Sequence, residues 1–139
     1  MMNDEVYPLS DTDWDWLRRA EQHIFQLLKD RYGDVSLNHT EADLQLAQRL
    51  IDDKAVNRKQ ILELQCLGVL LGNVFAAQTS MQWAVVSNEF GTMLALHSPE
   101  IGFTLYPLTM ISQRVEDNRK VNIPTLYHSF IADLGLSDG

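Results

Sequence analysis

From Ile61 to Ala77, apolar residues fall on nearly every side of the helix that the run would form, broken only by Glu63, Gln65, Asn73 and two glycines. A helix that is hydrophobic all round belongs inside a core, so this stretch is expected to be the central, buried helix. Two amphipathic helices precede it. Trp14, Leu17, Ala20, Ile24, Leu27 and Leu28 recur at three- and four-residue spacing, which predicts a helix over about 13–32. The oxygen-rich run Ser10-Asp11-Thr12-Asp13 opens it and Gly33 stops it. Leu44, Ala47, Leu50 and Ile51 predict a second helix over about 41–53, with Thr40 and Asp43 spaced as a capping box. Asn57 and Gln60 repeat that spacing ahead of the central helix.

After Gln78-Thr79-Ser80 the period changes from helical to alternating. Met81, Trp83 and Val85 point one way while Gln82, Ala84 and Val86 point the other, which is the repeat of a strand. The turn residues 87–91 lead to a return strand, Thr92 to Leu96, and His97-Ser98-Pro99-Glu100 makes a second turn. Ile101, Phe103 and Leu105 then alternate with Gly102, Thr104 and Tyr106, giving a third strand, and the short connections predict a three-stranded antiparallel meander. Pro107 suits the first position of a helix over about 108–116 carrying Leu108, Ile111 and Val115. Pro124 opens a last helix that Gly135 ends. The expected fold is α+β: a helical N-terminal half whose buried central helix packs on the meander, followed by two helices. The chain reads as one domain, with residues 1–10 a loose leader, 11–56 two helices and 57–135 the α+β core.

Composition narrows the partners. At 139 residues and 45% hydrophobic the chain can bury one core of ordinary size. A net charge of −8 argues against nucleic acid and anionic membranes, whose binding rests on clustered Lys and Arg. The charge is even, since residues 1–60 hold 12 acids and 8 bases and residues 61–139 hold 7 and 3. Such a surface suits a basic protein partner by steering encounter. With Cys66 the sole cysteine and an acidic start in place of a signal peptide, a cytoplasmic location is expected. The polar breaks in the central run leave too few consecutive apolar residues to cross about 30 Å of hydrocarbon.

No residue set assembles a recognisable catalytic or metal signature. Gly68 and Gly72 lie one turn apart on one face, each costing about 1 kcal/mol of helix stability, so a close backbone approach by the sheet or the first helix should offset them; the functional alternative is a flat ligand groove. Neither belongs to a phosphate loop. Cys66 lacks a neighbouring base and reads as an inert core thiol. His23, His39, His97 and His128 have no metal-ligand spacing among them, and His97 with Glu100 supplies two ligands at most, so no metal or other cofactor is expected. Trp14 and Trp16 cannot share a helical face, so one is expected to be exposed for contact; Trp83 reads as core. Trp16, Glu89, His97 and Arg114 are the candidate binding residues, and Gly68, Gly72, Trp83 and Pro107 the structural ones.

The run Leu67-Gly68-Val69-Leu70-Leu71-Gly72, then Trp83, Gly91, Pro107, Ile111, Arg114, Val115, Ile123, Leu126 and Tyr127, resembles a family of small bacterial proteins catalogued as a domain of unknown function, over about residues 50–135. This chain carries Gly72-Asn73 where members of that family often show Gly-Glu. The resemblance implies a bacterial source and no activity. A looser likeness in layout to toxin-immunity proteins implies one class of partner. The expected function is a non-catalytic protein-interaction domain, in its specific form an immunity-type inhibitor of a basic protein. The alternative is a small-molecule or enzymatic domain with a pocket between central helix and sheet that gathers Glu89, His97 and Arg114. A homodimer through an edge strand or the first helix is a third possibility.

Overall fold

A computed structural model describes residues 4–134. Its elements run β1 (Glu5–Tyr7), α1 (Asp11–Tyr32), α2 (Glu41–Asp52), α3 (Ile61–Gln78), β2 (Gln82–Asn88), β3 (Gly91–Ser98), β4 (Phe103–Leu105), α4 (Pro107–Glu116) and α5 (Ile123–Asp133). The class is α+β. The Gly135 helix stop lies outside the described residues; α5 ends at Asp133.

The sheet has four antiparallel strands in the order β1-β2-β3-β4 rather than three. Glu5–Tyr7, expected in a loose leader, adds to β2 with Val6 opposite Val86. Three residues are too few to display a two-residue period, and the partner strand is some 80 positions away, so no local signal marks this strand. The third strand begins at Phe103, because Ile101 and Gly102 complete a turn in which Gly102 takes φ +63° and donates to the Ser98 carbonyl at 2.8 Å. Across the sheet Trp83, Leu96 and Leu105 are in register and buried together, and they face the helices.

Helix ends follow their caps. Ser10 Oγ accepts from the Asp13 amide at 3.1 Å while the Asp13 carboxylate accepts from the Ser10 amide at 3.1 Å, so the capping box starts α1 at Asp11. The box expected at Thr40 and Asp43 does not form. His39 sits at φ +60°, and the buried Asp43 carboxylate instead accepts from the amides of Asn38 at 3.1 Å and His39 at 2.8 Å. Gln48 ties α2 to the α4–α5 connector, donating to the Val121 carbonyl at 3.0 Å and accepting from the Ile123 amide at 2.7 Å. His128 and Glu41 add a 3.0 Å pair between α5 and α2.

By length and composition α3 could cross a membrane, with 18 residues and mean hydropathy 1.4. Its surroundings explain that composition: α1, α2, α4, α5 and β2 all pack against it, so its middle, Cys66 to Gly72, is buried on every side, while Ile61, Leu62 and Gln78 at its ends are exposed. Leu64, Leu67, Leu70, Leu71, Val74 and Phe75 are fully buried.

The two glycines mark the closest packing. A Cβ on Gly68 would lie 2.3 Å from the Pro107 carbonyl oxygen and 2.9 Å from the Leu108 Cα. A Cβ on Gly72 would lie 2.3 Å from Trp83 Cζ2 and 3.2 Å from Pro107 Cγ. The backbone that crosses at Gly68 is therefore the start of α4, not the sheet or α1; the sheet reaches Gly72 through one side chain. The central helix accordingly packs most extensively on α4, while Trp83, Leu96 and Leu105 of the meander share its buried core and Trp83 reaches Gly72. Pro107 fits this crossing because it has no amide hydrogen that the buried junction must satisfy.

Candidate functional site

Trp16, His97 and Arg114 line three different clefts on the surface and Glu89 lines none of the three, so the four candidate binding residues are not gathered. The first lies beside β1. Val6, Tyr7, Pro8 and Leu9 meet Trp14 of α1 and the β2–β3 surface at Gln82, Ala84, His97 and Pro99, enclosing about 300 Å³. Trp14 is 47% exposed, with Tyr7 at 48% and Val6 at 41%. Trp16, by contrast, is half-buried against the core. The ring on the open side of α1 is Trp14, because Trp16 follows Leu17 and Ala20 toward the interior. Trp14 also lines a smaller adjoining cleft of about 190 Å³ with Arg18, Glu21, His39 and Asn73. There His39 Nε2 and Glu21 Oε1 are 2.7 Å apart, and Asn73 Oδ1 accepts from Trp83 Nε1 at 2.9 Å.

The β1 edge is open and acidic. Among the described residues no strand pairs with its outer side, so its free amides and carbonyls are open. Carboxylates crowd the segment: Asp4, Glu5, Asp11, Asp13 and Asp15 precede the first base, Arg18. Tyr7 donates its hydroxyl to Glu5, and that bond to a carboxylate, with its negative charge, raises the phenol above its ordinary range.

The second cleft, about 400 Å³, lies between the β4 edge and α4. Met93, Phe103, Leu105, Met110 and Phe130 supply apolar wall; Thr104, Thr109, Gln113 and Arg114 supply the polar groups. Arg114 Nη1 donates to the Met110 carbonyl at 2.8 Å. Tyr106, also on the wall, has its phenol raised by burial and by the negative charge of Asp4.

The third cleft, about 320 Å³, is formed by Trp16, Arg19, Ala20, His23, Leu62 and Cys66. Cysteine, histidine and, through the 3.6 Å His23–Glu63 pair, a carboxylate adjoin here. They do not make a nucleophile. Burial, then the charge of Glu63, pushes the Cys66 thiol up from 9.0 to about 11, and no hydrogen bond joins it to His23 among the described residues. A thiol held neutral is a poor nucleophile.

His97 lies in the first cleft, where its Nδ1 is 3.0 Å from Thr104 Oγ1, and Thr104 in turn lines the second cleft with Arg114. Glu89 stands apart on the exposed β2–β3 turn. Glu89, His97 and Arg114 are thus not united in one cleft between central helix and sheet, and beside Gly68 and Gly72 that space is taken by Pro107 and Trp83. Among the described residues no three of His, Cys, Asp and Glu converge as a metal site. Asn73, Trp14 and Tyr7 gain their places only through contacts distant in sequence. Trp14 alone carried a sequence signal, its opposition to Trp16 on one helix.

Comparison with known proteins gives a family. Residues 43–127 match the domain of unknown function DUF3806. The chain belongs to this family. The match begins at the buried Asp43 and ends at Tyr127, so it takes in α3, the crossing at Gly68 and Gly72, and β2 to β4, and leaves β1 and α1 outside. No curated protein matches the sequence. A solved crystal structure of a protein from Bacteroides thetaiotaomicron VPI-5482 has the same fold, with TM-score 0.83 and 18% identity over 94% of this chain. The match covers 48% of that protein, so this chain spans about half its length.

Proposed function

We propose that this is a non-catalytic protein-interaction domain that seats a basic, extended segment of another protein along β1 and against Trp14. The observation that carries the reading is the open β1 edge flanked by exposed Val6, Tyr7 and Trp14 within a run of carboxylates. Strand addition to a free edge supplies main-chain hydrogen bonds, and the adjoining aromatic cleft supplies side-chain anchoring. Charge selects the partner. Two copies pairing through β1 would crowd the Asp4 and Glu5 carboxylates of both chains along one short edge, whereas a Lys- or Arg-bearing strand neutralises them. An immunity-type role against a basic toxin in a bacterial cytoplasm is the specific form of this proposal; the acidic surface supports a basic partner, and the likeness to a Bacteroides protein supports a bacterial source.

Tagged wild-type protein and the Trp14→Ala and Val6→Lys variants are compared by affinity capture from the native cell, with captured proteins identified by mass spectrometry. The expected result is a basic protein that is retained by the wild type, lost from both variants and weakened by added salt. Repeated capture of nothing, or of the same proteins by all three, overturns the proposal.

A further inference from the structure

We propose that the β4–α4 cleft is a binding site for a small amphipathic carboxylate, with Arg114 as the group that receives the acid. This site is separate from the β1 edge and uses none of its residues.

The cleft is open to solvent and joins an apolar wall to one cation without a carboxylate partner. Its volume of about 400 Å³ falls in the range that holds small ligands, and Phe103, Met110 and Phe130 give it an apolar wall beside the polar groups of Thr104, Thr109, Gln113 and Arg114. Arg114 stands on that wall, half-buried. A guanidinium has five N–H donors. One of them bonds the Met110 carbonyl, which fixes the side chain along the last turns of α4. Among the described residues Arg114 has no carboxylate within ion-pair distance, although the chain carries 19 acids. Arg18 and Arg19 both reach Asp15 and Arg119 reaches Asp117, whereas Arg31 and Arg58 are held by neutral oxygens and Arg49 stacks on Tyr32; Arg114 is the arginine that lines this apolar wall.

A half-buried guanidinium held in place with donors to spare favours a planar, bidentate acceptor, which a carboxylate provides. The hydroxyl-bearing Thr104 and Thr109 flank the same wall. Thr104 is itself positioned by His97, and Thr109 Oγ1 is 3.4 Å from the Tyr106 carbonyl, so neither is free to rotate without cost. The methionines Met93 and Met110 supply adaptable apolar surface for a tail of variable shape. The ligand class that fits is one carboxylate on an unbranched or aromatic apolar body; a cation is repelled and an alcohol leaves the guanidinium unpaired.

Decanoate, decanol and decyltrimethylammonium, each below its aggregation limit, are titrated into isotope-labelled full chain and followed by amide chemical shifts. Decanoate is expected to shift Thr104, Thr109 and Arg114 and to bind about tenfold or more tighter than decanol, since a charge-assisted bond is lost with the alcohol. The Arg114→Met variant, which keeps the apolar stem, is expected to lose that preference while unfolding at the same temperature; Arg114→Lys is expected to retain part of it. Equal binding of the three probes, shifts centred on Trp16 or Trp14, or an undiminished preference in Arg114→Met overturns the assignment.

Discussion

The crossing of α3 with α4 and the edge at β1 use aromatic residues and backbone to opposite ends. At the crossing, Trp83 is 7% exposed, its indole N–H is bonded to Asn73, and its ring occupies the space that a side chain on Gly72 would need. At the edge, Trp14 is 47% exposed and lies between two clefts, and the nearby backbone has an unpaired side. The first region has no room for change; the second keeps one side open to solvent. Stability should therefore respond to substitutions at one and binding to substitutions at the other.

The largest effect is expected for Gly68→Val. Its Cβ meets the Pro107 carbonyl and Leu108 Cα, which are backbone and cannot swing aside. Overpacking of this kind costs about 3 kcal/mol or more, beyond anything gained in helix propensity. Denaturant unfolding should show a large fall in the midpoint, and an unchanged midpoint would mean that the two helices are not in contact as described.

Gly72→Ala tests the same crossing through a side chain. Destabilisation of about 2 kcal/mol is expected, because the Trp83 ring is held by packing and by Asn73. Combining it with Trp83→Leu should cost less than the sum of the two single changes, which a double-mutant cycle measures. Strict additivity would separate Gly72 from Trp83. Asp43→Ala leaves the amides of Asn38 and His39 without their acceptor, and about 2 kcal/mol of lost stability is expected.

Cys66 gives a smaller, pH-dependent signal. Its thiol is raised from 9.0 to about 11 in the folded state, so the folded chain holds the proton more tightly than the unfolded one. Stability from this group is present in full below pH 9 and declines as pH rises toward 11. Alkylation by iodoacetamide at pH 8 should accordingly be slow in the native protein and fast in denaturant; rapid native labelling would place the thiol at the surface. Smallest of all, Trp14→Ala is expected to move stability by no more than about 0.5 kcal/mol, as at other exposed positions. A large loss would show that the β1 edge belongs to the packed core and would remove the contrast between the two regions.

Much of the helical framework was legible because its determinants are local. The all-round apolarity of Ile61–Ala77 marked the buried helix, Ser10 and Asp13 marked the start of α1, and the switch in period after Ser80 marked the hairpin. Gly68 and Gly72 announced a close approach without naming what approached. The Thr40 and Asp43 spacing misled, since the left-handed backbone at His39 brings two other amides onto the same carboxylate. Candidate site residues fared differently: Trp16, Glu89, His97 and Arg114 were chosen one at a time, and nothing in their spacing says that His97 faces the β1 cleft while Arg114 faces the β4 cleft.

The sequence by itself determined where the helices lie, which one is central and that the surface is acidic, because periodicity, caps and net charge are properties of neighbouring residues or of simple sums. Only the tertiary structure decided that Glu5–Tyr7 joins the sheet, that Pro107 is the backbone beneath Gly68, and which tryptophan stays open. Each of those depends on a contact between segments tens of residues apart, where the deciding quantity is the space left by another element.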